Sequence, residues 1–249
     1  MSQGVGEVRA VAEAGRGRLR DDVVRATLDL LAEGGRDAVS TRAVAAAAGT
    51  QAPTIYRLFG DKAGLLAAVA EHGYATYLAA KPPARGGDPV AELRAGWDLH
   101  VGFGLANPAL FSLMYGDPVP GRRPEAASRA LGVLRSRMTA IAAAGRLRVD
   151  VQLAADMVHA AACGVVLTLL GLQEGERDLA LSSSTFDAVM AAVTTDALES
   201  PVAGAVPAAN ALRAELPGLD ELSPAERDLL GEWLDRVTGP RRAAPPLAH

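Results

Sequence analysis

Apolar positions recur every three or four residues through most of the chain, and β-branched residues never alternate with polar ones over a convincing stretch. That pattern predicts helices rather than strands. Between Arg20 and Glu33, the residues Val23, Ala26, Thr27, Leu30 and Leu31 share one helical face, and Gly34-Gly35 stops the run. Ser40 is placed to cap a short helix over Thr41–Ala48, where the run Ala45–Ala48 has high helix propensity. Gly49 then supplies the left-handed position that closes it. After a turn, Ala52–Phe59 reads as a third helix with Pro53 tolerated in its first turn, and Asp61 caps a fourth from Lys62 to about Ala79.

The stretch from Lys81 through Pro82, Pro83 and Gly86-Gly87 breaks this block. A second helical block runs from about Asp88 to Leu198. Pro201, Pro207 and Pro217 interrupt the chain beyond it, and one amphipathic helix is expected over Ser223–Val237. Residues 1–15 read as a flexible arm and residues 240–249, rich in proline, as a flexible tail.

Composition narrows the class. With 49% apolar and 22% charged residues in 249, the chain reads as folded rather than disordered. A formal charge of −4 argues weakly against a general nucleic-acid coat but leaves room for a local basic surface. Cys163 is the one cysteine, so no intrachain disulfide forms and no Cys-based metal site assembles, which fits a reducing compartment. Met1–Gly15 carries Glu7, Arg9 and Glu13 and lacks the apolar core of a signal peptide. The uncharged run Met157–Leu172 contains His159 and is too short for a comfortable membrane span. A cytoplasmic protein with no membrane partner is expected. His159 and Cys163 share a helical face, but packing of the helix is the commoner reason for such a pair than metal binding.

Two short helices joined by a tight glycine turn form a helix-turn-helix, whose second helix enters the major groove of DNA. Val44, Ala45, Ala48, Ile55 and Phe59 can close a small core behind it, leaving Gln51, Ala52, Thr54, Tyr56 and Arg57 to face outward. The run Ser40-Thr41-Arg42-Ala43-Val44-Ala45 with Ala48-Gly49, then Thr54-Ile55-Tyr56, Phe59, Asp61-Lys62 and Leu65-Leu66, resembles the DNA-binding signature of the TetR family. The resemblance implies that Thr41, Tyr56 and Lys62 contact phosphates, and that Arg42, Gln51, Ala52, Pro53 and Thr54 lie near base edges. The chemistry agrees. Lys62 at a helix start adds its charge to the free N–H groups there, Arg42 can read guanine bidentately, and Gln51 can read adenine. Gln51 stands where the family often has a serine cap, and Leu58 where it often has histidine or tyrosine. Arg16, Arg18 and Arg20 read as a minor-groove arm or, more commonly, as a solvated run.

In the second block, Trp97–Phe103 together with Asn107–Met114 is similar to a common C-terminal subtype of the family, the WHG type. That likeness implies an effector cavity lined near Trp97 and by the helix after Pro108. Trp97, His100, Phe103, Phe111, Met114, Tyr115 and Met138 gather much of the block's aromatic and sulfur content, as an apolar or aromatic effector needs. A core without a cavity is the alternative. Gly96, Gly102 and Gly104 either open space for a ligand or allow close helix packing. Small residues along Val151–Leu172, with Phe186–Leu198, can form half of an intermolecular four-helix bundle, or an intrachain core.

No phosphate-binding glycine loop, Gly-x-Ser-x-Gly elbow or metal helix motif is visible, so neither an enzyme nor a cofactor is expected. The expected fold is all-α: a helix-turn-helix DNA-binding domain over 16–80 and a helical-bundle ligand and dimerisation domain over 88–239. The expected function is a homodimeric repressor that leaves double-stranded operator DNA on binding a small lipophilic effector. A DNA-binding protein without an effector, and a helical small-molecule-binding protein, are the alternatives.

Overall fold

A computed structural model describes residues 2–81, 86–116, 124–195 and 204–239, with side chains from residue 14 onward. Among them the regular elements are helical, beside one isolated antiparallel bridge, Leu147 to Thr194. The helices are α1 (Ser2–Ala38), α2 (Thr41–Ala47), α3 (Ala52–Phe59), α4 (Lys62–Ala79), α5 (Pro89–Ala106) and α6 (Pro108–Tyr115), then α7 (Glu125–Ala143), α8 (Val151–Leu170), α9 (Ala180–Val193), α10 (Ala205–Glu215) and α11 (Pro224–Thr238). The all-α class is as the periodicity implies.

The differences have local causes. Residues 2–15, expected as a loose arm, are the leading part of α1, where Ala10, Ala12 and Ala14 sustain helix propensity. The break at Gly34-Gly35 is real: Gly35 takes φ +64°, so the axis turns there although helical hydrogen bonding resumes to Ala38. The stretch around Pro207 is not a loop. Pro207 lies in the first turn of α10, where a missing N–H breaks no intrahelical bond. Ser223 caps α11 as its spacing from Glu226 suggests, through a reciprocal capping box. α8, at 20 residues, is by length and composition long and apolar enough to cross a membrane, contrary to the shorter run read from the sequence. The prolines at 82 and 83, the C-terminal part of the expected Phe186–Leu198 helix and the tail at 240–249 lie outside the described residues.

Two compact units emerge; one limit falls at the break, after Lys81, and others divide α5, α7 and α8. One comprises Met1–Lys81, His100–Ala130 and Val166–Gly175; the other comprises Pro82–Leu99, Leu131–Val165 and Glu176–His249. In the first, Val23, Leu31, Val39, Val44, Ile55, Leu65 and Val69 make the core of the N-terminal helices. Ala109, Leu110 and Leu113 of α6 pack against that same core. In the second, Trp97, Met138, Ile141, Leu147, Phe186 and Val193 are buried. There the Asn210 side chain, itself buried, donates to the carbonyls of Leu147 and Val149 at 3.2 and 2.8 Å and ties α10 to the chain before α8.

Candidate functional site

The helix-turn-helix is built by local rules. The Ser40 hydroxyl accepts from the Ala43 N–H at 3.1 Å and starts α2. Gly49, at φ +61°, turns the chain, and the Thr50 N–H donates back to the Ala45 carbonyl at 2.8 Å. Gln51 occupies the cap position of α3 in extended backbone but makes no capping bond, so its exposed amide is uncommitted. The Asp61 carboxylate accepts from the Gly64 N–H at 2.7 Å and starts α4. Any side chain at position 64 would meet the Phe59 carbonyl oxygen, 2.0 Å from an ideal Cβ, so this turn demands glycine.

Val44, Ala45 and Ile55 point inward and are buried. Arg42, Gln51, Pro53, Tyr56, Arg57 and Lys62 are exposed, and Thr41, Ala52 and Thr54 are half-buried beside them. The phenol of Tyr56 is presented rather than packed, with the residue 52% exposed. Lys62 opens α4, and its ammonium donates to the Arg36 carbonyl at 3.4 Å. Arg42, Arg57 and Lys62 have no carboxylate partner among the described residues. Every residue expected at the DNA face lies on α2, on α3 or its cap, or at the start of α4, and the cations among them are open to an anion. Arg20, from the run read as an arm or as solvated, folds onto α3: its guanidinium donates to the Leu58 carbonyl at 3.2 Å and lies over the Phe59 ring, 4.7 Å from the centroid. The spacing along α1 could not show this, because Phe59 is reached only through the tertiary fold.

The aromatic residues expected to line a cavity separate into two groups. In the first unit, His100 is buried, with Nδ1 3.3 Å from the Tyr77 hydroxyl. Its ring meets those of Tyr77, Phe111 and Tyr115 edge to face at centroid distances of 5.6, 5.3 and 5.5 Å. Phe103 lies against Tyr77 at 5.3 Å, and Tyr74 against Tyr115 at 5.4 Å. The Tyr74 hydroxyl donates to the Met114 carbonyl at 3.0 Å. Tyr74 and Tyr77 were not among the expected residues; their spacing, which continues the apolar positions Leu66 and Ala70 of α4, was the available signal.

In the second unit, the Trp97 indole N–H donates to the Ser182 hydroxyl at 2.9 Å and its ring meets Phe186 at 5.4 Å. Met138 is fully buried there. The structure thus gathers His100, Phe103, Phe111, Met114 and Tyr115, and places Trp97 and Met138 in the other unit. The glycines divide as well. At Gly104 an ideal Cβ would lie 2.4 Å from Val166 Cγ1 and 2.9 Å from Phe111 Cδ2, so this glycine serves close packing, whereas Gly96 and Gly102 have no such neighbour. At Gly73 it would lie 2.9 Å from both Leu110 Cδ1 and Met114 Sδ, which holds α6 against α4. Burial pushes the Cys163 thiol up to about 12, and its sulfur is 3.7 Å from His159 Nδ1.

Residues 23–69 match the family described as bacterial regulatory proteins, tetR family. The chain therefore carries a TetR-family N-terminal domain, and the match ends before the second block, leaving the WHG-type likeness without further support. No curated protein matches the sequence. A protein with unknown function from Rhodococcus sp. RHA1 shares the fold at a TM-score of 0.61 and 25% identity, over 71% of this chain and 96% of that one. A TetR family transcription regulator from Marinobacter aquaeolei VT8 does so at 0.53 and 25%, over 71% and 95%. A TetR variant from Acinetobacter baumannii AYE, solved with minocycline, does so at 0.51 and 22%, over 68% and 93%. The fold is that of TetR-type transcription regulators.

Proposed function

We propose that this protein is a cytoplasmic, homodimeric transcription repressor that binds operator DNA through α2, α3 and the start of α4, and leaves it when an apolar or aromatic effector binds. The observation that carries the reading is the outward face of α2–α4. Arg42, Gln51, Tyr56, Arg57 and Lys62 are exposed there over a core formed by Val44, Ala45 and Ile55. Arg42 and Gln51 supply base-edge chemistry, and Thr41, Tyr56 and Lys62 hold phosphates. In a dimer, two such faces read half-sites about 34–36 Å apart, one turn of DNA.

Dimerisation is supported by the outward side of α8 and the segment after it. Leu153 and Leu167 are exposed with Ala160 and Gly164 between them, and Leu172, Leu179 and Leu181 are exposed as well. A Cβ at Gly164 would meet nothing within 4 Å, so small residues there leave room for a second helix rather than for one of this chain. Sensing is supported by α6, which joins the ring cluster to the DNA-binding core. Phe111 and Tyr115 meet His100, while Leu110 and Leu113 rest on the core of α1–α4. An effector that parts these rings must shift α6, and through Gly73 and Tyr74 it must shift α4. A coupling of about 1–3 kcal/mol is enough for a switch.

A DNA-binding protein without an effector is the second reading, favoured by direct contact among the rings, down to 4.5 Å between Phe111 and Tyr115. The test is a gel shift with the gene's own upstream DNA, repeated with lipophilic compounds that raise the melting temperature. Binding that is then released supports the repressor. Binding that no stabilising compound releases supports the second reading, and no shift at all removes both.

A further inference from the structure

We infer that Arg16, on the leading part of α1, is an additional phosphate-binding residue that extends the DNA contact past the end of the recognition helix. The inference rests on the DNA-binding reading of α2–α4. α1 does not stop at the first core residue but runs unbroken from Ser2, so a rigid helix carries whatever precedes Leu19. Its orientation is fixed at Arg20, whose guanidinium donates to the Leu58 carbonyl and covers Phe59. Phe59 is the last residue of α3, and Lys62, the phosphate-binding cation proposed above, opens α4 directly after the turn.

Arg16 precedes Arg20 by four residues, so the two side chains leave α1 on the same face, one turn apart. Val23 and Thr27, both fully buried, lie on that face too. The face that packs on the helix-turn-helix therefore continues beyond its core, and Arg16 occupies the first turn past Arg20. Arg16 is exposed and has no carboxylate partner among the described residues. The nearest carboxylate on the α3–α4 turn, Asp61, is engaged with the Gly64 N–H. Arg16 is thus open to an anion, one turn of α1 beyond the residue that anchors the end of α3. Arg18, equally exposed, is two residues away and points to the opposite side of the helix, since successive residues turn by about 100°. The run read from sequence as an extended minor-groove arm or as solvated charge becomes one contact residue, one positioning residue and one bystander. A continuous helix cannot thread the minor groove as an extended arm does, so the phosphate backbone is the partner it fits.

The experiment uses the full chain and a random-sequence DNA duplex of about 30 base pairs, which reports backbone contacts without knowledge of the operator. Affinity is measured by fluorescence anisotropy between about 50 and 200 mM KCl for the parent, Arg16→Ala, Arg16→Lys, Arg18→Ala and Lys62→Ala. Each lost phosphate contact flattens the slope of log affinity against log salt by about 0.9. The expected result is a flattened slope in Arg16→Ala and Lys62→Ala, with parental slopes in Arg16→Lys and Arg18→Ala. A parental slope in Arg16→Ala beside a flattened one in Lys62→Ala overturns the assignment of Arg16 and leaves the DNA-binding face standing. Equal flattening in Arg16→Ala and Arg18→Ala also overturns it, because general charge rather than position then decides. A parent that does not bind the duplex removes the DNA-binding reading and this inference together.

Discussion

The cations of the N-terminal helices are mostly left open, whereas most of those after residue 88 are paired. In the later region Arg94, Arg129, Arg137, Arg146, Arg213, Arg227 and Arg236 each face a carboxylate, as Glu92 faces Arg137 in a half-buried pair, while Arg135 and Arg148 face none among the described residues. Before residue 81, Arg16, Arg18, Arg42, Arg57 and Lys62 face none among the described residues, while Arg25 pairs with Asp22. A chain of net charge −4 has carboxylates enough to pair its cations. Five of those left open lie in the N-terminal helices, which hold the helix-turn-helix. An open cation adds little to folding but binds phosphate with release of counterions, whereas a paired one on the surface adds a little to folding and offers nothing to DNA.

Substitutions test how far this difference extends. The largest effect is expected from neither class of charge but from the ring cluster. Phe111→Ala, at a fully buried side chain, should cost about 3–5 kcal/mol of stability in urea unfolding. A loss below about 1 kcal/mol would mean that α6 is not locked to its neighbours. Next, Gly104→Ala forces a methyl toward Val166 and Phe111 and should cost about 1–3 kcal/mol by overpacking. Gly102→Ala, with open space, should cost nothing comparable and even favour the helix.

Arg42→Ala is expected to leave the melting temperature unchanged and to relax preference at a particular base pair by about 1–3 kcal/mol, read by binding to a set of operator variants. Uniform weakening across all variants would make Arg42 a phosphate contact instead. Arg213→Ala, which breaks an exposed pair with Asp235, should lower stability by no more than about 1 kcal/mol and leave DNA binding as it was. A change in DNA affinity there would undo the contrast between open and closed charge.

The smallest effect concerns Cys163. Burial raises its pKa from 9.0 to about 12, so the folded thiol stays protonated where an unfolded one begins to ionise. Because the folded value is the higher one, the stability linked to this group is present below pH 9.0 and is lost as pH rises from there toward 12. At pH 8 the native thiol should alkylate more slowly than that of the urea-unfolded chain; equal rates would show an accessible thiolate.

Much of the first block was legible in the sequence because its determinants are local. Ser40, Gly49, Pro53 and Asp61 act within a turn of where they stand, and the spacing of Val44, Ala45 and Ile55 settles which side of α2 and α3 turns outward. Helical class, the start of α11 at Ser223 and the outward placement of Tyr56 and Lys62 come from the same short-range rules. Tertiary structure alone decided the contacts whose partners lie far apart in the chain. Arg20 finding Phe59, Trp97 finding Ser182 rather than His100, and Gly104 being filled by Val166 depend on which helices come together. Helical periodicity reports that a face is apolar but not what it meets, and that is why the aromatic set read as one lining divides into two packed groups.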